Sequence, residues 1–154
     1  MTDKMISQQY ANDIMFELEK AIWDERGKGG KFRVTTVGRT FFQSHVLPSI
    51  KSTEIEDMVG AVESALRDNG IISHLSIERD GQLLRLSVTA CTHRAVEDQM
   101  TAHETKPFTC IPANLIVLAI EEKLDRPAEI ADIKLEDGVC KVLIVLFDRR
   151  PFLG

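Results

Sequence analysis

The sequence has no apolar run long enough to cross a bilayer. Its longest, Leu115–Ile120 and Val142–Phe147, fall far short of the ~20 residues a membrane-spanning helix needs. The start, MTDKMISQQYAND, lacks the basic segment and long apolar core of a secretory signal. Cysteine is scarce: three residues, an odd and widely spaced set, do not make a disulfide framework, so a reducing cytoplasm is the expected compartment. Basic charge is short as well. Nineteen Lys and Arg stand against 24 Asp and Glu, for a net charge of −5. With no Lys/Arg cluster, a surface that tracks nucleic-acid phosphates is not expected. Neither H-E-x-x-H nor a nucleotide-binding loop occurs, and no local signature marks a Ser-His-Asp triad. The segment GKGGK at Gly27–Lys31 lacks GKS or GKT and follows a helix instead of a strand, so it reads as a flexible connection.

What is there belongs to one α+β domain spanning 1–154, with 44% hydrophobic and 28% charged residues. Tyr10, Ala11, Ile14, Met15, Leu18, Ala21 and Ile22 recur at helical spacing and predict an amphipathic first helix, stopped by Gly27, Gly29 and Gly30. Phe32–Val37 is β-branched and reads as an edge strand. Gly38–Ile50 carries Phe41, Phe42, Val46 and Leu47 on a short helix ending near Pro48. Thr53 and Glu56 have the spacing of a capping box. Ile55, Met58, Val59, Val62, Ala65 and Leu66 then form a buried stripe, and Asn69-Gly70 supplies the left-handed residue that ends the helix.

Two hairpins bracket a second apolar helix. Asp80-Gly81 suits a type I′ turn; placed in the loop, it pairs Ile77 with Leu84, Leu75 with Leu86 and Ser73 with Val88. Asp137-Gly138 likewise pairs Leu135 with Cys140, Ile133 with Val142 and Ala131 with Ile144. The last strand is apolar on both faces, through Val139, Leu143, Val145 and Phe147 on its outer side, which predicts cover on both. Thr92–Lys106, polar and holding His93 and His103, is loop or frayed helix. Between the hairpins, Pro107 and Pro112 flank a helix start, and Leu115–Ile120, apolar nearly all round, predicts burial on most sides.

The candidate chemistry gathers around the cysteines. A composite zinc set of Cys91, His93, Cys110 and Cys140 requires the hairpins to flank the helix. The competing reading makes Cys110 and Cys140 small buried hydrophobes, the common fate of free cysteine. Cys110, near a helix N-terminus where exposed N–H groups favour a thiolate, has a separate claim to reactivity. It would need His93 or His103 as a base. A metal- or thiol-dependent enzyme using Cys91, His93 and Cys110 is therefore an alternative, weaker than a non-catalytic role. The pair Phe41-Phe42, with Leu115 and Leu118, is the candidate lining of a pocket between helices and sheet.

Helices followed by hairpin, helix and hairpin, with KPFTC ending at Cys110, LDRPAEI, and a turn into Cys140, resemble the vinyl-reductase-type small-ligand-binding domain and the related subunits of vesicle-trafficking complexes. The resemblance is best over Ile71–Phe147. It implies a pocket for a small hydrophobic or aromatic molecule between helices and sheet, and zinc held by cysteines at the helix start and last hairpin. Lys134 stands where the family carries a cysteine before the final turn, with Asp132 the acidic residue ahead of it, and the turn is shorter. The expectation is an α+β domain with a four-stranded antiparallel sheet packed against helices. It would be a non-catalytic domain that binds a small hydrophobic ligand or has a regulatory role, in either case as a homodimer, with no membrane span and no nucleic-acid partner. The alternative is a structural assembly subunit whose partner covers Leu143, Val145 and Phe147.

Overall fold

Alternating apolar residues and two tight turns build a four-stranded antiparallel sheet, as seen in the computed structural model, which describes residues 5–32 and 34–148 (backbone only for 31 and 32). Strands β1 (His74–Asp80) and β2 (Leu83–Thr89) form the first hairpin, and β3 (Ala128–Glu136) and β4 (Val139–Leu146) the second. Their order across the sheet is β1-β2-β4-β3, so β2 and β4 are central. The helices are α1 (Gln8–Arg26), α2 (Arg39–Phe41, prolonged by a wide turn over Phe42–Val46 and a 3₁₀ turn over Leu47–Ser49), α3 (Ile55–Asp68), α4 (Arg94–Ala102) and α5 (Ile111–Leu124). The fold class is α+β, with helices packed against the sheet. No helix among the described residues is long and apolar enough to cross a membrane.

The second hairpin turns at Asp137-Gly138, with both residues at positive φ (49° and 80°) as a type I′ turn requires. Leu135 pairs with Cys140 and Ile133 with Val142 as expected, but Ala131 does not face Ile144. A β-bulge lies between Ile130 and Asp132, and Ile130 takes that partner. The extra residue keeps Ile130 and Ile133 on one face although they are three apart, where strict alternation would have put them on opposite faces. The first hairpin is shifted from the expected register. Asp80 pairs with Leu83 and Ile77 with Leu86, so the loop is Gly81-Gln82. Gly81, at φ 59°, is the residue that leaves the strand geometry, while Asp80 stays in it. Because each partner moves by two residues, the faces are unchanged.

One face of the sheet is the core. Rows such as Ile77–Leu86–Val142–Ile133 and Leu75–Val88–Cys140–Leu135 run across all four strands, beneath α3 and α5. All six stripe residues of α3 are buried, as are Pro112–Ile120 of α5. Burying each large aliphatic side chain is worth ~1.5–3 kcal/mol, so these two helices carry much of the stability. The other face is open. Leu143 and Val145 are only half-buried, Phe147 is exposed, and Arg85, Asp132 and Lys141 stand among them. The cover expected behind β4 is not supplied by the described residues.

Three local expectations are corrected. Thr53 does not cap α3, which begins after Glu54; Ser52 Oγ accepts from the Glu54 N–H and donates to Asp57 (2.6 Å). The described part of Phe32–Val37 is a 3₁₀ end and a turn instead of a strand (Arg33 lies outside the described residues). The buried Asn114 side chain donates to the carbonyls of Val34 and Val37, which holds this turn closed against α5 and overrides its β-branched propensity. The third is the orientation of α1. The helix forms where predicted, but Tyr10, Ile14 and Leu18 face solvent, while Phe16, Glu19 and Trp23 face inward. Two side chains with ring or imidazole partners and one buried ion pair outweigh the aliphatic stripe.

Candidate functional site

Glu19, His93 and Glu97 are side chains that normally stay in water, and each is buried to 8% exposure or less. His93, at the N-cap of α4, and Glu97, one turn later, lie on one helix face. Glu19 reaches them from α1. His93 Nε2 donates to Glu19 Oε2 at 2.7 Å, and Nδ1 donates to Glu97 Oε1 at 3.2 Å. Burial disfavours the imidazolium, but the hydrogen bonds and charges of the two carboxylates outweigh it and hold the His93 pKa at about 9. The ring is therefore a cation at neutral pH, clamped between two anions. Glu97 Oε2 is buried with no partner among the described residues, which do not fully satisfy this cluster.

The cysteines adjoin the cluster. Cys140 Sγ lies 3.8 Å from Glu97 Oε1 and contacts the Cys110 thiol at the start of α5. Cys91, half-buried in the link between β2 and α4, is within electrostatic reach of both Cys140 and Glu97. The structure thus gathers Cys91, His93, Cys110 and Cys140 into one neighbourhood, as the zinc set required. Their chemistry points elsewhere. Both nitrogens of His93 are taken by carboxylates, and among the described residues no three His, Cys, Asp or Glu side chains are arranged to hold a metal ion. The hydrogen bond with Cys140, together with burial, pushes the Cys110 thiol well above the ordinary range, in spite of its place at a helix N-terminus. Burial pushes Cys91 to about 11, opposed only in part by the backbone N–H groups of His93 and Arg94. Neither is a thiolate at neutral pH, so neither is a ready nucleophile. His103 is on the surface, its Nδ1 donating to the Gln99 carbonyl at 2.9 Å and its ring tilted against Phe16 with centroids 5.0 Å apart.

One turn beyond Glu19, Trp23 leaves α1 towards the segment before α5. Its ring lies 5.6 Å from that of Phe108. Together with Pro107 and the β3 stretch Ile130–Ile133, the two rings line a cleft of about 420 Å³. Lys28, Glu104 and Lys106 stand at it. Lys106 is paired with Asp132 at 2.6 Å, and that hydrogen bond lowers the Asp132 pKa. The β3 bulge places Ala131 and Asp132 side by side on this wall. The aromatic pair and the cleft were not anticipated. Their one visible signal was a Trp and a Phe in segments otherwise rich in charge.

The pocket residues expected from sequence are placed differently. Leu115 is fully buried, and Phe42 and Leu118 are core residues that only edge a small cleft of about 170 Å³ with Arg39, Gln43 and Glu121. Phe41 is half-buried and stacks on the exposed His45 at 4.5 Å. The chain matches no protein-family model, and no curated protein matches it in sequence.

Proposed function

We propose that this chain is a non-catalytic binding or regulatory module that takes a small hydrophobic molecule and acts as a homodimer. The observation that carries the reading is the Trp23–Phe108 cleft. At about 420 Å³ it lies within the ~300–1,000 Å³ usual for small-molecule sites. Trp23, Pro107, Phe108, Ile130, Ala131 and Ile133 give it an apolar, aromatic wall. The charged groups at its edge, Lys28 and Glu104 with the Lys106–Asp132 pair, are balanced in sign and suit a ligand with a polar end. The resemblance of Ile71–Phe147 to vinyl-reductase-type ligand-binding domains points the same way. The protonated Cys91 and Cys110 and the fully engaged His93 argue against covalent chemistry. Three unpaired thiols suit a reducing compartment such as the cytoplasm.

Trp23 is the only tryptophan in the chain and stands in the cleft wall, so it reports occupancy directly. Titration with anilinonaphthalene sulfonate and with salicylate should change Trp23 emission saturably, and Phe108→Ala should weaken binding at least tenfold. Native mass spectrometry of protein from its source should show a retained small molecule. An unchanged Trp23 signal together with no retained mass would refute the proposal.

A further inference from the structure

Large apolar side chains left in water are usually scattered singly. Here they cluster. Of the eight strongly exposed ones among the described residues, Met5, Ile6, Tyr10, Ile14, Met15 and Leu18 lie on or just ahead of α1, and only Val37 and Phe147 lie elsewhere. Ile6, Tyr10, Ile14 and Leu18 recur every fourth residue, with exposures of 64%, 59%, 41% and 63%. Tyr10, Ile14 and Leu18 form one stripe along the helix, on the side away from Glu19 and Trp23, and Ile6 lies just ahead of the N-cap Ser7. The small Ala21 extends it by another turn and lets a neighbouring backbone approach.

We infer that this stripe is the contact face between two copies of the chain, the α1 helices packing against each other about a twofold axis. This names the surface of the homodimer proposed above and does not depend on ligand binding. The cleft uses the opposite side of α1, so loss of one property leaves the other measurable. The area fits. The six exposed apolar residues on and just ahead of α1, Met5 and Met15 included, amount to roughly 600–700 Å² per copy, so pairing two copies buries at most on the order of 1,300 Å², at the lower end of the ~1,200–2,000 Å² of standard stable interfaces. An isologous pair needs no foreign surface, and twofold dimers are the commonest oligomers. The edge of the stripe carries Asp13, Glu17 and Asp24, with Lys20 tied to Asp24 at 2.8 Å. An acidic edge disfavours an anionic lipid surface, for which interfacial helices carry Lys and Arg. The open sheet face is the rival interface, but Arg85, Asp132 and Lys141 interrupt its apolar residues.

The test is sedimentation equilibrium of the full chain at micromolar concentration, with circular dichroism to check folding. Wild type should be a dimer. The double variant Ile14→Glu, Leu18→Glu, altered only at exposed positions, should be a folded monomer, its dimerisation weakened more than about a hundredfold. Leu143→Glu on the sheet should remain dimeric. If the double variant fails to fold, Ile14→Cys supplies the readout. Near the centre of the stripe it should cross-link to its own counterpart under mild oxidation. The inference is overturned by a monomeric wild type, whether or not it floats with phosphatidylcholine vesicles. A double variant that is still dimeric, a Leu143→Glu chain that alone dissociates, or an Ile14→Cys chain that does not cross-link would overturn it equally.

Discussion

Removing the buried cation tests the Glu19–His93–Glu97 cluster most directly. In His93→Gln the two carboxylates keep their places without the imidazolium between them. The magnitude follows from the titration. Raising the His93 pKa from 6.5 to about 9 corresponds to roughly 3 kcal/mol, at ~1.36 kcal/mol for each factor of ten. Breaking one side of a buried ion pair costs ~3–5 kcal/mol by general experience, the same order. A domain of this size has ~5–15 kcal/mol in total, so the variant should fold but be markedly weaker. The sign with pH is fixed. The folded state holds the His93 proton more tightly than the unfolded chain, so this stabilisation is complete below pH 6.5 and is lost as pH rises through about 9. Urea unfolding followed by Trp23 emission and by helical circular dichroism should give a wild-type advantage of about 3 kcal/mol at pH 6, shrinking steadily towards pH 9.5. Since Glu19 is the α1 member of the cluster, the Trp23 signal one turn away should report the loss at least as strongly as the average helix does. A difference that stays flat between pH 6 and 9.5, or one below about 0.5 kcal/mol, would refute the reasoning.

Two further outcomes follow from the same packing. Asn114→Ala removes the donor shared by the Val34 and Val37 carbonyls and should cost about 1–3 kcal/mol in thermal unfolding, with faster amide exchange across 34–38. Iodoacetamide at pH 7.5 should label Cys110 and Cys140 only after denaturation, because both are buried from the reagent, and Cys91 slowly, because burial raises its thiol to about 11. Alkylation of native Cys110 within minutes would restore the thiol-enzyme reading.

Where one physical signal dominated, the fold was legible in the residues. The six-residue stripe of α3, the all-round apolar α5 and the Asp137-Gly138 turn each had a single low-energy solution, and each formed as expected. The strand faces survived the shifted first turn because a slip of two partners preserves parity. Legibility failed where signals competed. Helix α1 has apolar residues on both sides, and periodicity alone does not say which side turns inward. Glu19 and Trp23 decided it through partners 74 and 85 residues away. The buried cluster was hidden because carboxylates are ordinarily read as surface. Its one local trace was the four-residue spacing of His93 and Glu97. The four cysteine and histidine candidates did come together, but the protonation that decides their chemistry depends on burial.

The bulge in β3 separates two properties that strands usually bind together. Ala131 is the one residue of β3 that the ladder to β4 skips, and it also lies against the cleft. A chain lacking it would run Ile130 straight into Asp132 with their present partners, Ile144 and Leu143, leaving the inward row intact. The cleft wall can therefore lengthen or shorten by a residue while the core keeps its registration. At this point an insertion or deletion, more than any substitution, would resize the cleft on an unchanged scaffold.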